Sequence, residues 1–553
     1  MRHLLPILLL LTACTTAPTP TPAVPETNWT REAVLPETGN RKDILNLGDK
    51  LADKASRGLQ HMSTWPVTVS GVLLPWRPLH MIFDPLATAD DVLALQAVGR
   101  NLLGFGTTDE MNQWLGLSRR GKDPEAFPGV KWPETLAPGD FLGAGVVHTQ
   151  QGDALTFSCA TCHVATFFGH TIVGMANRRS RANVFFGVAK QFFPAVTPEL
   201  LRDKTQATDA EVALMQRAQA NLPAVGYKEP LAHGLDTSLA QVALSLARRA
   251  EDAWATRDAK LEETPRANAL ETGVADSKPA VWWNVKYKTR WLADGSIVSG
   301  NPVFTNFLWN ELGRGTDLHE LQKWLEANQP IVEELTALVF ATEAPHWDEI
   351  FPDLPIDVTA AQRGQQLFEA HCATCHGTYE KDWTKTTHTL NVRYHAQTPV
   401  YDVDTDPLRA QGMAAFAKDL NRLEISKAMG TVVEVQTGYV PPPLVGIFAR
   451  YPYLHNQSVP TLCEMLRPAQ LRTAQFWLGP DVDVRTDFDT HCVGLPVGEA
   501  VPAAWKADPK NQMDTSQKGL SHQGHEEHLL DDQGQEILNA AMRYDLVEFL
   551  KSL

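Results

Sequence analysis

The sequence of 553 residues lacks long hydrophobic runs, an excess of basic side chains and a high cysteine content. After the first 14 residues no stretch approaches the ~20 apolar residues that a membrane-spanning helix needs. The 49 Lys and Arg against 65 Asp and Glu give a net charge of −16. A surface of this sign repels nucleic acid and anionic lipid. With 43% hydrophobic and 21% charged residues, the chain also differs from disordered and collagen-like proteins. The sequence therefore predicts a folded protein that neither spans a membrane nor binds nucleic acid.

The chain begins with an export signal. Residues 1–14, MRHLLPILLLLTAC, combine a basic start, a short apolar stretch and small residues before Cys14. The last four letters resemble a bacterial lipobox, which predicts that residues 1–14 are removed and that Cys14 is lipidated. An ordinary signal peptide with a stray cysteine is the alternative. Residues 15–45 are a Pro/Thr-rich tether and N-terminal extension. In similar lipoproteins a residue such as Thr15 directs the protein to the outer membrane. We therefore expect an exported protein that faces the periplasm or the cell surface and touches the membrane only through its lipid.

The motif CATCH occurs twice, at residues 159–163 and 372–376. Two thiols about one helical turn apart can add across the vinyl groups of haem, and the adjacent histidine then becomes the proximal iron ligand. Chance predicts only about 0.003 copies of C-x-x-C-H in a chain of this composition. A redox C-x-x-C pair or a zinc site would give the repeated histidine no role. We predict two covalent haem c groups bound by Cys159, Cys162, His163, Cys372, Cys375 and His376.

The second motif has the sequence context of a cytochrome domain. A helical segment capped by Asp357 precedes it, and residues 544–553 form an amphipathic helix at the end of the chain. These segments resemble the terminal helix pair of class I cytochromes c, with Gly364 at the crossing. A further helical stretch is predicted near 236–265. The sequence predicts a mainly α fold of two class I cytochrome c-like domains, each with one haem, plus long loops and insertions. The N-terminal haem domain and joining segment cover 46–345, and the C-terminal domain covers 346–553.

Several segments resemble the bacterial dihaem cytochrome c peroxidase superfamily, and among its branches most closely the rubber oxygenase-like one. They are WWNVKYK at 282–288 followed by DG at 294–295, PLVGI at 443–447, YLHNQSVPTL at 453–462 and GLSHQGHE at 519–526. Gln457 stands where that branch has glycine, and His522 stands near an expected asparagine. The resemblance implies an oxidoreductase that activates peroxide or O2 and transfers electrons between its two haems. The alternatives are an electron-transfer cytochrome without its own substrate, a haem-bearing scaffold or sensor, and a rubber oxygenase-like dioxygenase.

The resemblance also suggests the second iron's distal ligand. It favours His525, with His522 and Met413 as alternatives, although a surface histidine would fit the same polar loop. His455 could approach a haem edge or make a structural hydrogen bond. Near the first haem, His170 and Met175 have no diagnostic context. In the rubber oxygenase branch the N-terminal haem is the reactive one, so the resemblance implies an open or weakly held site there.

Aromatic residues between the motifs are candidates for electron transfer. Dihaem relatives place a tryptophan between the haems, which suggests Trp282 or Trp283, although core packing explains a tryptophan pair equally well. Phe304, Phe307 and Trp309 could line the distal pocket. Partners would be peroxide or O2 and a redox protein, and the acidic balance of the chain would tolerate a basic one. Calcium occurs between the domains of some relatives but has no evident motif here.

Cys463 and Cys492 remain after the lipid and haem cysteines are assigned. In an oxidising compartment they are expected to form a disulfide worth roughly 3 kcal/mol on a chain-entropy basis. Two free thiols are the alternative.

Overall fold

The computed structural model describes residues 29–30, 32–36 and 39–553. The signal sequence 1–14, Cys14 and most of the tether 15–45 lie outside these ranges, so their predicted roles stay predictions. Helix makes up 42% and strand 12% of the structure, which confirms the mainly α character. None of the described helices is long and apolar enough to cross a bilayer.

Thr, Asp or Asn side chains cap the N-termini of ten α-helices in the described ranges, as their preference for accepting backbone N–H groups predicts. The α-helices are α1 Leu51–Thr64, α2 Trp76–Ile82, α3 Asp90–Leu103, α4 Thr108–Trp114, α5 Ala160–His163, α6 Ala182–Phe192, α7 Pro198–Thr205, α8 Asp209–Asn221, α9 Ser238–Leu246, α10 Ala259–Glu263, α11 Pro302–Gly313, α12 Leu318–Ala327, α13 Gln329–Ala341, α14 Trp347–Ile350, α15 Val358–His371, α16 Ala373–His376, α17 Leu408–Gly412, α18 Ala417–Asn421, α19 Glu424–Ala428, α20 Leu462–Met465, α21 Val484–Asp487 and α22 Ala540–Lys551. Short 3₁₀ helices cover Gly48–Lys50, Phe193–Ala195, Leu222–Ala224, Trp282–Tyr287, Met413–Ala415, Ile447–Ala449, Ala469–Leu471, Gly498–Ala500, Ala503–Ala507 and Pro509–Asn511.

The strands are short and pair antiparallel. They are β1 Leu74–Pro75, β2 Ser118–Arg119, β3 Glu125–Phe127, β4 Val130–Lys131, β5 Phe141–Leu142, β6 Ala144–Thr149, β7 Gly152–Phe157, β8 Val164–Phe167, β9 His170–Val173, β10 Ile297–Ser299, β11 Thr378–Lys381, β12 Thr389–Arg393, β13 Val432–Val433, β14 Gln475–Trp477 and β15 Gln512–Asp514. The largest sheet within the described residues has the order β1-β7-β6, and the others are two-stranded. The hairpins β6–β7 and β8–β9 flank the first motif, whereas α15 leads into the second.

Helices α15 and α22 pack closely, as the sequence predicts for the ends of a cytochrome c domain. A Cβ atom at Gly364 would lie 1.9 Å from the carbonyl oxygen of Asp545, so a larger residue would push the helices apart. Arg363 donates hydrogen bonds of 2.6 and 2.9 Å to the Asp545 carboxylate. The rings of Phe368 and Phe549 meet at a centroid separation of 5.2 Å. This crossing fixes the direction in which α15 delivers the second motif.

Helices α1 and α13 form a second close pair in the N-terminal half. A Cβ atom at Gly58 would lie 2.2 Å from the carbonyl oxygen of Glu334. The Glu334 carboxylate accepts a 2.7 Å hydrogen bond from Arg57 and lies 2.9 Å from Nε2 of His61. Both helix pairs, α15–α22 and α1–α13, therefore combine a close approach at a glycine with a charged pair across the crossing.

Two large clusters of buried apolar side chains form most of the core. The first cluster is built mainly on α1, α9 and α11–α13, and it also includes Met413 and Phe416. The second is built on α15 and α22, and it also includes Phe167 and Ile172 from the β8–β9 hairpin. Each core is therefore completed by residues from the other side of residue 345.

Candidate haem sites

Both CATCH motifs open onto one cavity of about 560 Å³. Its wall includes the six predicted attachment residues, Cys159, Cys162, His163, Cys372, Cys375 and His376. The four motif cysteines are not in disulfides. Four free thiols and two imidazoles around one cavity have the chemistry that haem c attachment requires.

The first motif is fixed from outside the cavity. The hydroxyl of Thr161 donates a 2.7 Å hydrogen bond to the carbonyl of Gly143, and the amide of Asn177 donates one of 2.9 Å to the carbonyl of Thr161. Burial lowers the pKa of His163 to about 4, so its imidazole is neutral. The ring of Trp282 lies beside it, with a centroid separation of 4.9 Å and a tilt of 30°. A neutral imidazole held on a short helix is suited to bind a metal.

The second motif holds His376 in a defined orientation. Gly377 ends α16 at a φ of +77°, and a Cβ atom there would lie 2.4 Å from the carbonyl oxygen of Arg393. Nδ1 of His376 lies 2.8 Å from the carbonyl oxygen of Pro442. Because a carbonyl oxygen only accepts, Nδ1 carries the proton and the lone pair on Nε2 is free for a metal. Burial lowers the pKa of His376 to about 4.

His525 faces His376. Their ring centroids are 6.0 Å apart and their planes are tilted by 49°. An imidazole bonded to a metal at about 2 Å places its ring centre about 3 Å from that metal, so two imidazoles on opposite sides of one iron would show a similar separation. Burial and the neighbouring His376 lower the pKa of His525 to about 3. The backbone N–H of His525 donates a 2.7 Å hydrogen bond to Val403, which holds its loop against residues 403–405. The pair fits haem with two histidine ligands.

The alternative ligands lie elsewhere. Nδ1 of His522 is 3.1 Å from the hydroxyl of Thr515. Met413 and Met175 are buried in the two cores, and His170 begins strand β9. None of these four candidates lines the cavity.

His455 does line the cavity, but its ring packs against neither motif histidine. It stacks on Tyr439 with a centroid separation of 4.0 Å and a tilt of 17°. Burial lowers its pKa to about 3, and Arg409 and Lys278 add to this effect. Within the described part of the chain, the aromatic ring that packs beside His163 is that of Trp282, and no second histidine ring pairs with it.

The two tryptophans connect the motifs. Trp282 contacts His163, whereas the indole N–H of Trp283 donates a 3.0 Å hydrogen bond to the carbonyl of Val445. Val445 follows Pro442 by three residues, and Pro442 accepts from His376. Adjacent indoles therefore lead from His163 to the loop that holds His376.

The remaining aromatic candidates divide between core and cavity. Phe304 and Phe307 are fully buried in the first core cluster, and neither lines the cavity. Trp309 lines the cavity, and its buried indole N–H has no acceptor among the described residues.

Asp236 is a cavity-lining carboxyl that the sequence did not single out. It accepts hydrogen bonds from the backbone N–H and the hydroxyl of Ser238, and it lies close enough to Cys162 to influence that thiol. Burial raises the pKa of Asp236 above its ordinary value, despite the opposing hydrogen bonds from Ser238. No motif marks it, because it reaches the cavity only through the packing of α9.

Cys463 and Cys492 are joined by a disulfide with an S–S distance of 2.11 Å. The bond ties α20 to the turn at 489–494, and neither cysteine lines the cavity. It closes a loop of the second half without taking part in either motif.

Comparison with known families covers the region of the second motif. Residues 359–429 match a model described as "Cytochrome C oxidase, cbb3-type, subunit III". Residues 438–477 match a model described as "RoxA-like, cytochrome c-like". The first match contains Cys372, Cys375 and His376, and the second contains the Pro442 loop that positions His376.

Two curated relatives come from Sinorhizobium fredii (strain NBRC 101917 / NGR234). "Uncharacterized protein y4iJ" is 28% identical over 291 residues, which cover 43% of this chain and 45% of that protein. "Uncharacterized protein y4iM" is 30% identical over 223 residues, which cover 36% of this chain and 49% of that protein. The chain thus spans about half the length of the curated relatives it matches. The family matches and the geometry agree on the second motif: the C-terminal half contains a region similar to c-type cytochrome domains, which bind haem covalently.

Proposed function

We propose that the protein is a dihaem c-type cytochrome that reduces peroxide or O2 at its first haem and passes electrons to that haem from its second. One observation carries this proposal: His525 faces His376 at 6.0 Å, whereas no comparable histidine pairs with His163 in the described residues. An iron with both axial positions filled relays electrons, and one with an open position can bind a small oxidant. The asymmetry of the two motifs supports a division into relay and reactive site.

Haem c supplies an iron that changes oxidation state and, where a coordination position is open, binds peroxide or O2. At the first site Cys159 and Cys162 would hold this group and His163 would bind its iron. At the second site Cys372 and Cys375 would hold it, and His376 and His525 would bind its iron. The remaining chemistry is that of the surrounding side chains.

Asp236 is the residue best suited to move a proton at the first site. The carboxyls that line the cavity are those of Asp236 and Glu527, and Glu527 lies near Cys375 of the second motif. Because burial raises the pKa of Asp236, this carboxyl holds a proton at higher pH than an exposed aspartate does. Ser238 fixes the carboxyl, so it can give and regain a proton without reorienting.

Two amides provide a fixed polar wall nearby. The amide of Gln241 donates a 2.8 Å hydrogen bond to the carbonyl of Gly313, and its oxygen accepts one of 2.8 Å from Asn183. Both side chains line the cavity. Groups oriented in this way can stabilise a polar oxidant without rearranging.

Trp282 and Trp283 are proposed as the electron path. Their contacts reach from His163 to the loop that receives the hydrogen bond of His376. Stacked and adjacent π-systems shorten the distance that an electron must cross between the two sites.

The decisive experiment combines mass spectrometry with electron paramagnetic resonance (EPR) and absorption spectra of the purified oxidised protein. We expect a mass two haems above the polypeptide, one low-spin and one high-spin signal, and a change in the high-spin signal on addition of peroxide. Asp236→Asn should slow that change while leaving both signals in place. Two low-spin signals that do not respond to peroxide would leave an electron-transfer cytochrome, and a mass of one haem would refute the dihaem proposal.

The rubber oxygenase-like alternative draws on the match at 438–477. That segment contains Pro442, which accepts from His376 of the second site, and no residue of the first motif. The match therefore bears on the proposed electron-transfer site and gives no information about the substrate at the first site. We therefore propose the peroxidase-type reaction, with cleavage of polyisoprene as the reaction to test if peroxide fails. Export, lipid anchoring at Cys14, an outer-membrane location and a basic redox partner complete the proposal.

A further inference from the structure

Three basic side chains, those of Lys278, Lys288 and Arg450, line the cavity without a carboxylate partner. The ammonium of Lys278 donates 2.7 Å hydrogen bonds to the carbonyls of Arg450 and Pro452. The guanidinium of Arg450 donates one of 2.7 Å to the carbonyl of Pro443. The ammonium of Lys288 has neither a hydrogen bond nor an ion pair within the described residues. All three side chains line the cavity that both motifs share.

The other cations of the same wall are paired. Arg178 forms an ion pair with Asp481, Arg314 lies 3.6 Å from Glu311, and Arg409 lies 3.1 Å from Asp294. The lining carboxyls, Asp236 and Glu527, form no ion pair with Lys278, Lys288 or Arg450. The unpaired cations are therefore a distinct group and not part of a general charge network.

Withdrawal from water disfavours these three charges. Burial lowers the pKa of Lys288 to about 8 and that of Arg450 to about 10, and it lowers the pKa of Lys278 well below its ordinary value. An uncompensated charge in such a place is unfavourable, and an anion bound beside these groups would restore their charged forms. The cluster therefore indicates an anionic ligand inside the cavity.

We propose that Lys278, Lys288 and Arg450 bind the propionate carboxylates of the haem groups. The inference rests on the proposed haem attachment, because the propionates are the anionic groups that haem would bring into this cavity. Two backbone carbonyls aim the ammonium of Lys278, and one carbonyl orients the guanidinium of Arg450, so each keeps N–H donors for a carboxylate. Within the described residues no group of three or more acidic, histidine or cysteine side chains could hold a metal ion.

The positive charge should also stabilise the reduced iron. A cation near a haem favours the state with one more electron, and its removal favours the oxidised state. Lys288→Met keeps the length of the side chain and removes its charge, whereas Lys288→Arg keeps the charge. Lys190→Met is a matched control. Its ammonium has a pKa also lowered to about 8 and donates to the carbonyl of Val225, yet it does not line the cavity.

The test uses full-length holoprotein whose propionate carboxyls carry ¹³C from labelled 5-aminolevulinic acid. We expect Lys288→Met to shift the labelled carboxylate bands in redox-difference infrared spectra. We also expect it to lower the reduced fraction of one haem, relative to its oxidised fraction, by roughly tenfold at a fixed applied potential. Lys288→Arg should restore both readings, and Lys190→Met should change neither.

The same samples separate the possible failures. Mass spectrometry of the native protein reports whether both haems are attached, and a native protein without them would refute the proposed function and, with it, this assignment. Two attached haems with unshifted carboxylate bands in Lys288→Met and in Arg450→Gln would overturn the propionate assignment. If Lys288→Met fails to fold, Arg450→Gln provides the same measurement at a second position.

Discussion

The ring centroids of His376 and His525 lie 6.0 Å apart, and each ring has the lowered pKa of a buried, neutral imidazole. His376 is oriented by the carbonyl of Pro442, and His525 by a loop held against Val403. Two separate parts of the chain therefore converge on a gap suited to one iron.

Replacing His525 with alanine should open that gap. The second haem should change from low spin to high spin, because the variant removes one of the two nitrogens proposed to bind its iron. Absorption and EPR spectra of the oxidised protein report this change. His522→Ala is the control, since His522 contacts Thr515 and does not line the cavity. A low-spin second haem in the His525 variant would exclude His525 as a ligand.

Trp282→Phe should slow electron transfer between the haems without changing their spin states. Phenylalanine retains a ring beside His163 but is smaller and harder to oxidise than indole. Flash photolysis of carbon monoxide from the partly reduced protein measures the rate. Trp254, which stacks on His319 at 3.7 Å and does not line the cavity, provides the control through Trp254→Phe. Equal rates in both variants would remove Trp282 from the path.

Gly364→Ala should destabilise the C-terminal half by about 3 kcal/mol, because its methyl group would meet the carbonyl of Asp545. Chemical denaturation followed by circular dichroism measures the loss in unfolding free energy. Gln366→Ala lies on the exposed side of the same helix and should change that energy by less than about 0.5 kcal/mol. Similar stabilities for the two variants would show that α15 and α22 can separate at little cost.

The disulfide between Cys463 and Cys492 should contribute about 3 kcal/mol by limiting the unfolded chain. The double variant Cys463→Ala/Cys492→Ala should lose that stability in denaturation experiments. Its haem spectra should stay unchanged, because neither cysteine lines the cavity. Reduction of the native protein with a thiol should have the same effect, and a stability insensitive to both treatments would contradict the prediction.

Asp276 should make stability depend on pH. Burial raises its pKa to about 6 in the folded protein, while an unfolded aspartate titrates at about 3.9. Since the folded pKa is the higher one, its stabilising contribution is complete below about pH 4 and is lost as the pH rises through 6. Asp276→Asn can still accept the hydrogen bond from the N–H of Leu231 and cannot ionise.

Relative to the native protein, the Asp276→Asn variant should therefore gain about 2 kcal/mol between pH 4 and pH 7. Urea denaturation at several pH values measures the difference. A difference that does not vary with pH would mean that Asp276 titrates normally in the folded state.

The sequence predicted local features far better than tertiary ones. The cap at Asp357, the glycine at 364 and the final helix could be read from spacing, because each acts within its own element. The helix predicted near 236–265 is instead divided into α9 and α10, with Asp258 capping the second. Between these helices the chain turns around the buried guanidinium of Arg249, which donates a 2.9 Å hydrogen bond to the carbonyl of Thr316. That contact is distant in sequence and leaves no local pattern.

The cavity shows the same limit. Both motifs can be recognised from the spacing of their residues. Asp236, Lys278 and Arg450, in contrast, reach the same cavity only after the chain has folded. No sequence pattern distinguishes a lysine or arginine that becomes buried on folding from one that stays exposed to water. Such residues can be found only once the wall of the cavity is known.

The interleaving of the two cores has a consequence for how the protein can be divided. Residues 413–433 complete the first core, and the β8–β9 hairpin completes the second. A cut near residue 345 would leave each fragment with an exposed apolar face where the other fragment had packed. The two halves would therefore not behave as interchangeable modules, and a gene fragment that ends there should yield aggregated protein. An insertion or deletion in one half would therefore disturb the packing of the other half.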